Sequence, residues 1–410
     1  MIGGPRCLAG LDVGSTTTTA VLIEAGLGWD AASGPARVLG VGVAHTEGVR
    51  NRNVTHIEAA TESVREALRD AEDMAGMEAG SVYVGVAGDH IEVGSSSGVV
   101  AVSGDEVDQG DLDRVHEVAR AIVIPPDREL LHAIPQDYMV DGKAGIQDPC
   151  GMEATRLESE VCIVTAGSPA CQNLRKAVDR AGYRTEELVF SPLATSLAVL
   201  SDDERQGGVA LLEIGGAATE MMVYRDSRLH LVATLPWGGV TVTNDIVKGL
   251  GISLADAEDL KRNCGNASTR AVDADEKLEI PGPTPGRTRE VSRELLAHII
   301  EQRLDEMFGL VYEALEEKQM LGALPAGVVL TGGGASLEGI VELAQTVFNM
   351  PVTLGQPGAG LEGVVDATRD PRLSTAVGLA LYGRIRAQET GGGLAIRTLS
   401  RFTDWLRDFF

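Results

Sequence analysis

Two hairpin sequences of the same form constrain the fold of this chain more than any other feature. Each runs from an apolar strand through an acidic residue and a glycine turn into a second apolar strand. The first lies at Asp12-Val13-Gly14-Ser15-Thr16 and the second at Glu213-Ile214-Gly215-Gly216. In a chain of 410 residues, this repetition predicts an α/β architecture of two or three domains, in which the second half repeats the first.

The hairpin turns carry the residue types that bind phosphate. Glycine lets backbone N–H groups approach a phosphate closely, because no Cβ intervenes, and hydroxyl groups add donors. The candidate phosphate-binding residues are Gly14, Ser15, Thr16, Thr17, Gly215, Gly216 and Ala217. Asp12 and Glu213 are predicted to hold a hydrated divalent cation, Mg²⁺, that neutralises the phosphate. Either hairpin alone indicates only a turn.

Two later segments are predicted to complete a nucleotide site. The strand ending at Thr331 enters a glycine turn, Gly332, Gly333 and Gly334, followed by a predicted helix at 336–348. Such a turn at a helix N-terminus packs flat against an adenine and its ribose. Glu258 and Lys261 lie three residues apart on one helix face. We predict that they bind the ribose and base; the alternative is a solvated surface ion pair.

The order of these four elements resembles the superfamily of sugar kinases, Hsp70 and actin, whose two related halves close on ATP. The resemblance implies an α/β, actin-like (ribonuclease H-like) two-lobed fold with ATP as its ligand.

Several segments also resemble the FtsA family within that superfamily, and this resemblance covers about residues 8–410. They are His132 to Tyr138, Gly145 to Pro149 with Gly151 and Met152, Gly238 and Gly239 with Thr243 to Ile246, and Ser374 to Leu379. The family is a set of bacterial actin-like proteins that tie the cell-division ring to the inner face of the cytoplasmic membrane.

The resemblance implies the following division of the chain. Lobe 1 (1A) is 1–88 with 161–200, the inserted 1C subdomain is 89–160, lobe 2 (2A) is 201–235 with 322–388, subdomain 2B is 236–321, a flexible linker is 389–395, and an amphipathic helix is 396–410. Strands are expected at Val82 to Ala87 and Val161 to Ala166, and an acidic helix start at Ser103 to Glu106. The stretch 266–289 is expected to be a loop or a hairpin.

The chain departs from the family at the nucleotide loops. A lysine usually follows the first turn, where this chain has Thr17, and the second usually reads Asp, three glycines and Thr. Ala217 costs little if its φ is negative and is strained if its φ is positive. We therefore expect ATP to be bound as a structural ligand and conformational switch, with reduced hydrolysis.

The last residues have the pattern of a membrane-binding amphipathic helix. One apolar face is formed by Ile396, Leu399, Phe402, Leu406 and Phe409, with Trp405 and Phe410 beside it. Such a helix binds a lipid surface weakly, and several on one polymer bind better through effective concentration. The alternative is that it docks on the body or on another protomer.

The resemblance also implies partners. FtsZ would bind subdomain 2B, with Arg303 gripping acidic groups of its peptide; alternatively Arg303 pairs within its helix with Glu301 or Glu306. The 1C subdomain would mediate self-association and contacts with other division proteins. Two alternative functions remain. The chain could be a kinase or a chaperone ATPase of the same superfamily, or an actin-like scaffold of another assembly such as the pilus machinery.

The composition limits the classes of function and cellular location that remain possible. The net charge of −25 disfavours nucleic-acid binding. Five cysteines without metal-ligand spacing indicate free thiols in a reducing compartment. No signal peptide and no apolar run of about 18 residues are evident. These features indicate a cytoplasmic protein whose membrane association is peripheral. The family resemblance further implies a location at the cytoplasmic face of the inner membrane, at the division septum.

Overall fold

The computed structural model describes residues 7–25, 34–282 and 286–391. The strands are β1 Cys7–Val13, β2 Thr17–Glu24, β3 Ala36–His45, β4 Val49–Arg50, β5 Asn53–Val54, β6 Ser81–Val86, β7 Ile91–Ala101, β8 Arg128–Val140, β9 Lys143–Ile146, β10 Arg156–Gly167, β11 Thr185–Phe190, β12 Val209–Ile214, β13 Thr219–Arg225, β14 Arg228–Leu235, β15 Lys277–Pro281, β16 Thr288–Ser292, β17 Gly327–Thr331, β18 Val352–Leu354 and β19 Leu361–Gly363.

The α-helices of the same residues are α1 Ile57–Ala75, α2 Gln109–Arg120, α3 Ser168–Ala181, α4 Ser191–Val199, α5 Asp202–Gly207, α6 Gly239–Leu250, α7 Leu254–Cys264, α8 Arg293–Glu317, α9 Ile340–Phe348, α10 Val365–Thr368 and α11 Ser374–Gly391. Short 3₁₀ turns lie at Thr269–Ala271, Leu321–Ala323, Gly333–Ser336 and Pro371–Leu373.

Two sheets repeat one strand pattern. The order β3-β2-β1-β6-β11 in the first sheet corresponds to β14-β13-β12-β17-β18 in the second. In each, the first three strands are antiparallel neighbours and the last two join in parallel. The two glycine hairpins are therefore equivalent, since β1–β2 and β12–β13 occupy the same place in their sheets.

Each repeated sheet is covered by helices that bury its apolar face. Helix α1 buries Val64, Ala67 and Leu68 against the first sheet. It begins where His56 accepts a hydrogen bond from Ala59 N–H and ends at Gly76, which has a φ of 64°. The second sheet is covered by α6, α8 and α9. Burial of these faces stabilises both lobes.

A third, four-stranded antiparallel sheet, β7-β10-β8-β9, forms the insertion. Strand β10 pairs along its whole length with β7 and β8. It therefore belongs to the inserted sheet, and the expected boundary at residue 160 falls inside it; this boundary moves to about Gly167. The helix in this region is α2, capped by Asp108, and not a helix beginning at Ser103.

The end of the described chain packs on the first lobe. Of the range 322–388 assigned to lobe 2, β17 and β18 lie in the second sheet, but β19 and α11 lie on the first. Strand β19 pairs with β3 at the edge of the first sheet. Helix α11 packs on β1 so closely that a Cβ on Gly10 would lie 2.1 Å from the Ala376 carbonyl oxygen. The helix follows elements of the second lobe in the sequence, but small residues at this crossing let it pack closely on the first lobe.

Other expectations were confirmed or corrected locally. The stretch 266–289 contains a hairpin, β15–β16. Helix α11 continues to Gly391, so the first residues of the predicted linker at 389–395 are helical. A helix that has already formed extends readily, because each further residue adds one hydrogen bond. The amphipathic helix predicted at 396–410 and the rest of that linker lie outside the described residues.

Candidate functional site

The two hairpin loops contact each other across the interface of the lobes. A Cβ placed on Gly216 would lie 2.6 Å from Thr16 Cγ2 and 2.7 Å from Thr16 Oγ1. Each turn is closed by an equivalent hydrogen bond: Gly14 N–H donates to the Thr17 carbonyl at 3.1 Å and Gly215 N–H to the Ala218 carbonyl at 2.9 Å. The structure thus brings together the two predicted phosphate loops, from residues far apart in the sequence.

The loops present backbone donors at this contact. Within the described residues, no hydrogen bond uses the N–H groups of Ser15, Thr16, Gly216 or Ala217, and all four residues are partly exposed. Ala217 is not among the residues with positive φ, so alanine in place of glycine costs no backbone strain there. These N–H groups fit the oxygens of a phosphate chain.

The third glycine turn lies beside the second loop. Gly332 has a φ of 83°, and a Cβ added to it would lie 2.7 Å from the Ile214 carbonyl oxygen. The turn leads into the 3₁₀ segment Gly333–Ser336, and α9 begins only at Ile340. The prediction that the glycines open directly into a helix at 336 is therefore wrong. The backbone at Gly339 has a φ of 79°, which is not helical, so α9 begins only after it.

The Glu258–Lys261 pair also reaches the second loop. Lys261 Nζ lies 2.6 Å from Glu258 Oε2, and it donates to the Gly239 carbonyl at 3.0 Å and to Thr243 Oγ1 at 2.8 Å. Gly239 N–H in turn donates to the Gly215 carbonyl at 2.9 Å. Burial lowers the pKa of Lys261, although Glu258 acts against that shift. The half-buried Lys261 side chain is thus tied to the start of α6 as well as to Glu258, and does not belong to a fully solvated surface pair.

An arginine that the sequence did not single out lies between the two hairpins. Arg52 Nη1 is 3.3 Å from Asp12 Oδ1, Arg52 Nη2 is 3.0 Å from Glu213 Oε1, and Arg52 Nε is 3.4 Å from Glu220 Oε1. Its side chain is only 9% exposed. Because the ion pair to Glu213 spans 161 positions in the sequence, spacing and periodicity could not reveal it.

One local signal does point to Arg52. Asn51 and Arg52 form the turn between β4 and β5, with φ values of 47° and 61°. Two-residue hairpins of this kind favour Asn-Gly, since both central residues take positive φ. An arginine at the second position is therefore unusual, and a turn rule applied to the sequence would have marked it.

Burial dominates the electrostatics of this cluster. It raises the pKa of Asp12 to about 6, with Arg52 opposing and Glu213 adding to the shift. It raises the pKa of Glu220 to about 8, again against the attraction of Arg52. The neighbouring acids raise the pKa of Arg52. The guanidinium therefore stays charged.

The acids do not fit the hydrated Mg²⁺ predicted from the sequence. Glu213 Oε1 accepts from Arg52 and, at 3.0 Å, from Thr375 Oγ1, and Glu213 Oε2 accepts from Thr195 Oγ1 at 2.8 Å. Asp12 Oδ1 accepts from Arg52. Since the guanidinium lies where a cation between these acids would lie, we derive no role for a metal from this geometry.

Arg303 is already engaged in ion pairs. Its Nε contacts Asp245 on α6 and its Nη1 contacts Glu306 on its own helix. Glu301 instead accepts a hydrogen bond from Thr269 N–H at 2.9 Å. The alternative of an intrahelical pair thus holds for Glu306 and not for Glu301.

The apolar residues predicted to bind a membrane, Ile396 to Phe410, lie outside the described residues. Among the helices of the described part, none has the length and hydropathy needed to cross a bilayer.

Comparison with solved structures defines the class of the protein. The chain is similar to the PilM–PilN type IV pilus biogenesis complex, with a TM-score of 0.64 at 18% identity over 92% of this chain and 98% of that one. It is also similar to MreB5 of Spiroplasma citri bound to ADP, with a TM-score of 0.57 at 13% identity over 95% of this chain and 99% of that one. Together with the repeated sheets and facing loops, these likenesses identify an actin-like fold.

Comparison with known sequences gives the family. The family model described as "Cell division protein FtsA" matches residues 210–378, and the "SHS2 domain inserted in FTSA" matches residues 88–165. Cell division protein FtsA of Pseudomonas aeruginosa is 36% identical over 97% of this chain and 94% of its own length. That of Escherichia coli K12 is 34% identical over 92% and 90%, respectively.

The chain therefore belongs to the FtsA family, and it is a cell division protein with an actin-like fold. The match of the inserted domain to residues 88–165 agrees with the position of β10 in the inserted sheet. The family resemblance inferred from the sequence is confirmed.

Proposed function

We propose that this chain binds ATP between its two lobes, self-associates into actin-like filaments and anchors FtsZ to the inner face of the cytoplasmic membrane at the division septum. The observation that carries the nucleotide part is the contact of Thr16 with Gly216, which places two sets of N–H donors at one cleft. A solved neighbour, MreB5, is bound to AMPPNP in one structure and to ADP in another, which supports a nucleotide as the ligand of a chain with this fold.

The residues of the cleft would divide the nucleotide between them. The N–H and hydroxyl groups of the loops at 14–17 and 215–217 would hold the phosphates, since their donors face the shared cleft. Gly332 to Gly334 would pack against the adenine. Lys261, held by Glu258, would support the ribose side through α6.

ATP is proposed to act as a ligand that holds the lobes in one arrangement, with little turnover. Thr17 replaces the lysine usual in the family, so one cation beside the phosphates is missing from that loop. Glu213 is fixed by Thr195, Thr375 and Arg52, which leaves it poorly placed to activate a water molecule.

The nucleotide proposal is tested by calorimetry on nucleotide-free protein. We expect ATP to bind at or below millimolar concentration, with slow steady-state hydrolysis. Gly309→Ala is a suitable control, because a Cβ at Gly309 meets nothing within 4 Å. No heat of binding at millimolar ATP would refute the proposal, and brisk turnover would refute its second part.

Partner binding is assigned to three other regions. Subdomain 2B, about 236–321, would bind FtsZ, with Arg303 exchanging its contacts to Asp245 and Glu306 for acidic groups of the FtsZ peptide. The inserted sheet would contact a second copy and other division proteins. The terminal segment 396–410 would bind the membrane.

Co-sedimentation separates these roles. The intact chain should pellet with FtsZ polymers and with liposomes, and a chain lacking 394–410 should lose only the liposomes. Arg303→Glu should weaken FtsZ binding, whereas Arg270→Ala, at an exposed residue of the same subdomain, should not. Retained liposome binding without 394–410 would contradict the membrane assignment, and an unchanged FtsZ pellet with Arg303→Glu would contradict the role of Arg303.

A further inference from the structure

The guanidinium of Arg52 connects acids from both lobes. Asp12 lies on β1 of the first sheet, whereas Glu213 and Glu220 lie opposite each other on β12 and β13 of the second. Arg52 contacts all three. Both carboxylate oxygens of Glu220 are buried and accept no hydrogen bond from the described residues, and the ion pair of its Oε1 with Arg52 Nε is the charge contact that compensates the carboxylate.

Arg52 is also tied to the first phosphate loop. Its backbone N–H donates to Ser15 Oγ at 3.1 Å. A Cβ placed on Gly215 would lie 3.6 Å from Arg52 Nη2, so the positive charge also lies next to the second loop. A cation at this point would attract the phosphates of a nucleotide held by the two loops.

The backbone at Arg52 indicates that this position is maintained against a local cost. A non-glycine residue with a φ of 61° lies in a sparsely populated, strained region of backbone conformation. Such a conformation persists only when surrounding contacts over-determine it. Here the three acids and Ser15 supply those contacts.

We propose that Arg52 is a built-in cation that takes the place of a divalent metal in this cleft. It joins the acids of the two lobes in the absence of any metal, and it supplies the positive charge that the first loop lacks at Thr17. Nucleotide binding to this chain is therefore independent of Mg²⁺. This last statement rests on the proposed ATP function, whereas the exclusion of metal from the acid cluster does not.

Three variants of the full chain test the proposal. Arg52→Gly removes the cation and leaves a residue suited to positive φ, so a loss of stability reports the lost ion pairs rather than a strained turn. Asn51→Gly is the matched control within the same turn. Arg50→Ala removes an exposed arginine of β4 without touching the cluster.

The first measurement uses metal alone. Mn²⁺ titrated into nucleotide-free protein and followed by electron paramagnetic resonance should show no site in the wild type, Asn51→Gly or Arg50→Ala, and one site in Arg52→Gly. Mg²⁺ should raise the Tm of Arg52→Gly and leave the Tm of the wild type unchanged. A wild-type Mn²⁺ site that Glu213→Gln removes would overturn the proposal, even if Arg52→Gly does not fold.

The second measurement compares ATP affinity in EDTA and in Mg²⁺. The wild type should bind ATP equally well in both, and Arg52→Gly should bind about tenfold or more weakly in EDTA, because a charge-assisted contact with phosphate is lost. A wild-type affinity that collapses in EDTA would overturn metal independence. If no protein binds ATP under either condition, the proposed ATP function fails, and the Mn²⁺ titration still decides the role of Arg52.

Discussion

The contact between the two phosphate loops yields a prediction that can be made quantitative. In Gly216→Ala, the new Cβ would lie 2.6 Å from Thr16 Cγ2, 2.7 Å from Oγ1 and 3.2 Å from Cβ. These atoms belong to a side chain held between two lobes, so relief requires the loops to separate. Overpacking of this kind costs about 1–3 kcal/mol. Gly216 is not among the glycines with positive φ, so alanine adds no backbone penalty.

A double-mutant cycle isolates this contact. Thr16→Gly removes all three obstructing atoms, so Gly216→Ala in that background should cost less than about 0.5 kcal/mol. The free energy of unfolding is measured by urea titration followed by circular dichroism. Gly309→Ala serves as a control and should not destabilise the chain, because alanine is favoured over glycine within a helix.

The cycle has a clear contradictory result. If the two substitutions are additive within about 0.5 kcal/mol, Thr16 and Gly216 do not touch in solution. The lobes would then lie further apart than described, and the shared cleft would not exist in the free protein.

Three further predictions concern other parts of the molecule. Burial lowers the pKa of His116, beside the Tyr138 hydroxyl, to about 4 in the folded protein. The folded state therefore keeps its full stability above pH ~6.5 and loses stability as the pH falls toward ~4. The loss in the free energy of unfolding is about 2 kcal/mol between pH 7 and pH 5. Urea titrations should show a flatter pH profile for His116→Gln, and an unchanged profile would contradict the assignment. Lys261→Ala removes the Nζ donor to the Gly239 carbonyl and to Thr243 Oγ1 at the start of α6, so calorimetry should show about tenfold weaker ATP binding; equal affinity would exclude Lys261 from the site. Arg205→Ala removes the side-chain donor from the Leu200 carbonyl and one of two donors from the Ser196 carbonyl. It should cost about 2 kcal/mol in urea unfolding, and a loss below about 1 kcal/mol would show that water replaces the donor.

Local sequence patterns predicted the elements whose formation depends on neighbouring residues. The strands expected at Val82 to Ala87 and at Val161 to Ala166 fall in β6 and β10, respectively. In both, apolar periodicity and a flanking glycine are sufficient signals. The two glycine hairpins, which we predict to bind phosphate, were located for the same reason.

Features that depend on distant contacts were not predictable in this way. Helix α11 returns to the first lobe because Gly10 lets Ala376 approach, a fact that involves opposite ends of the chain. Arg52 meets Glu213 and Glu220 only after both lobes have folded. The acids were therefore identified from the sequence, but the cation that faces them was not.

The most direct test of the shared cleft is a crystal structure of the full chain grown with AMPPNP. The account predicts that the β- and γ-phosphate oxygens accept hydrogen bonds from N–H groups of both loops, Ser15 and Thr16 on one side and Gly216 and Ala217 on the other. A nucleotide bound by one loop only, or bound elsewhere on the protein, would contradict it.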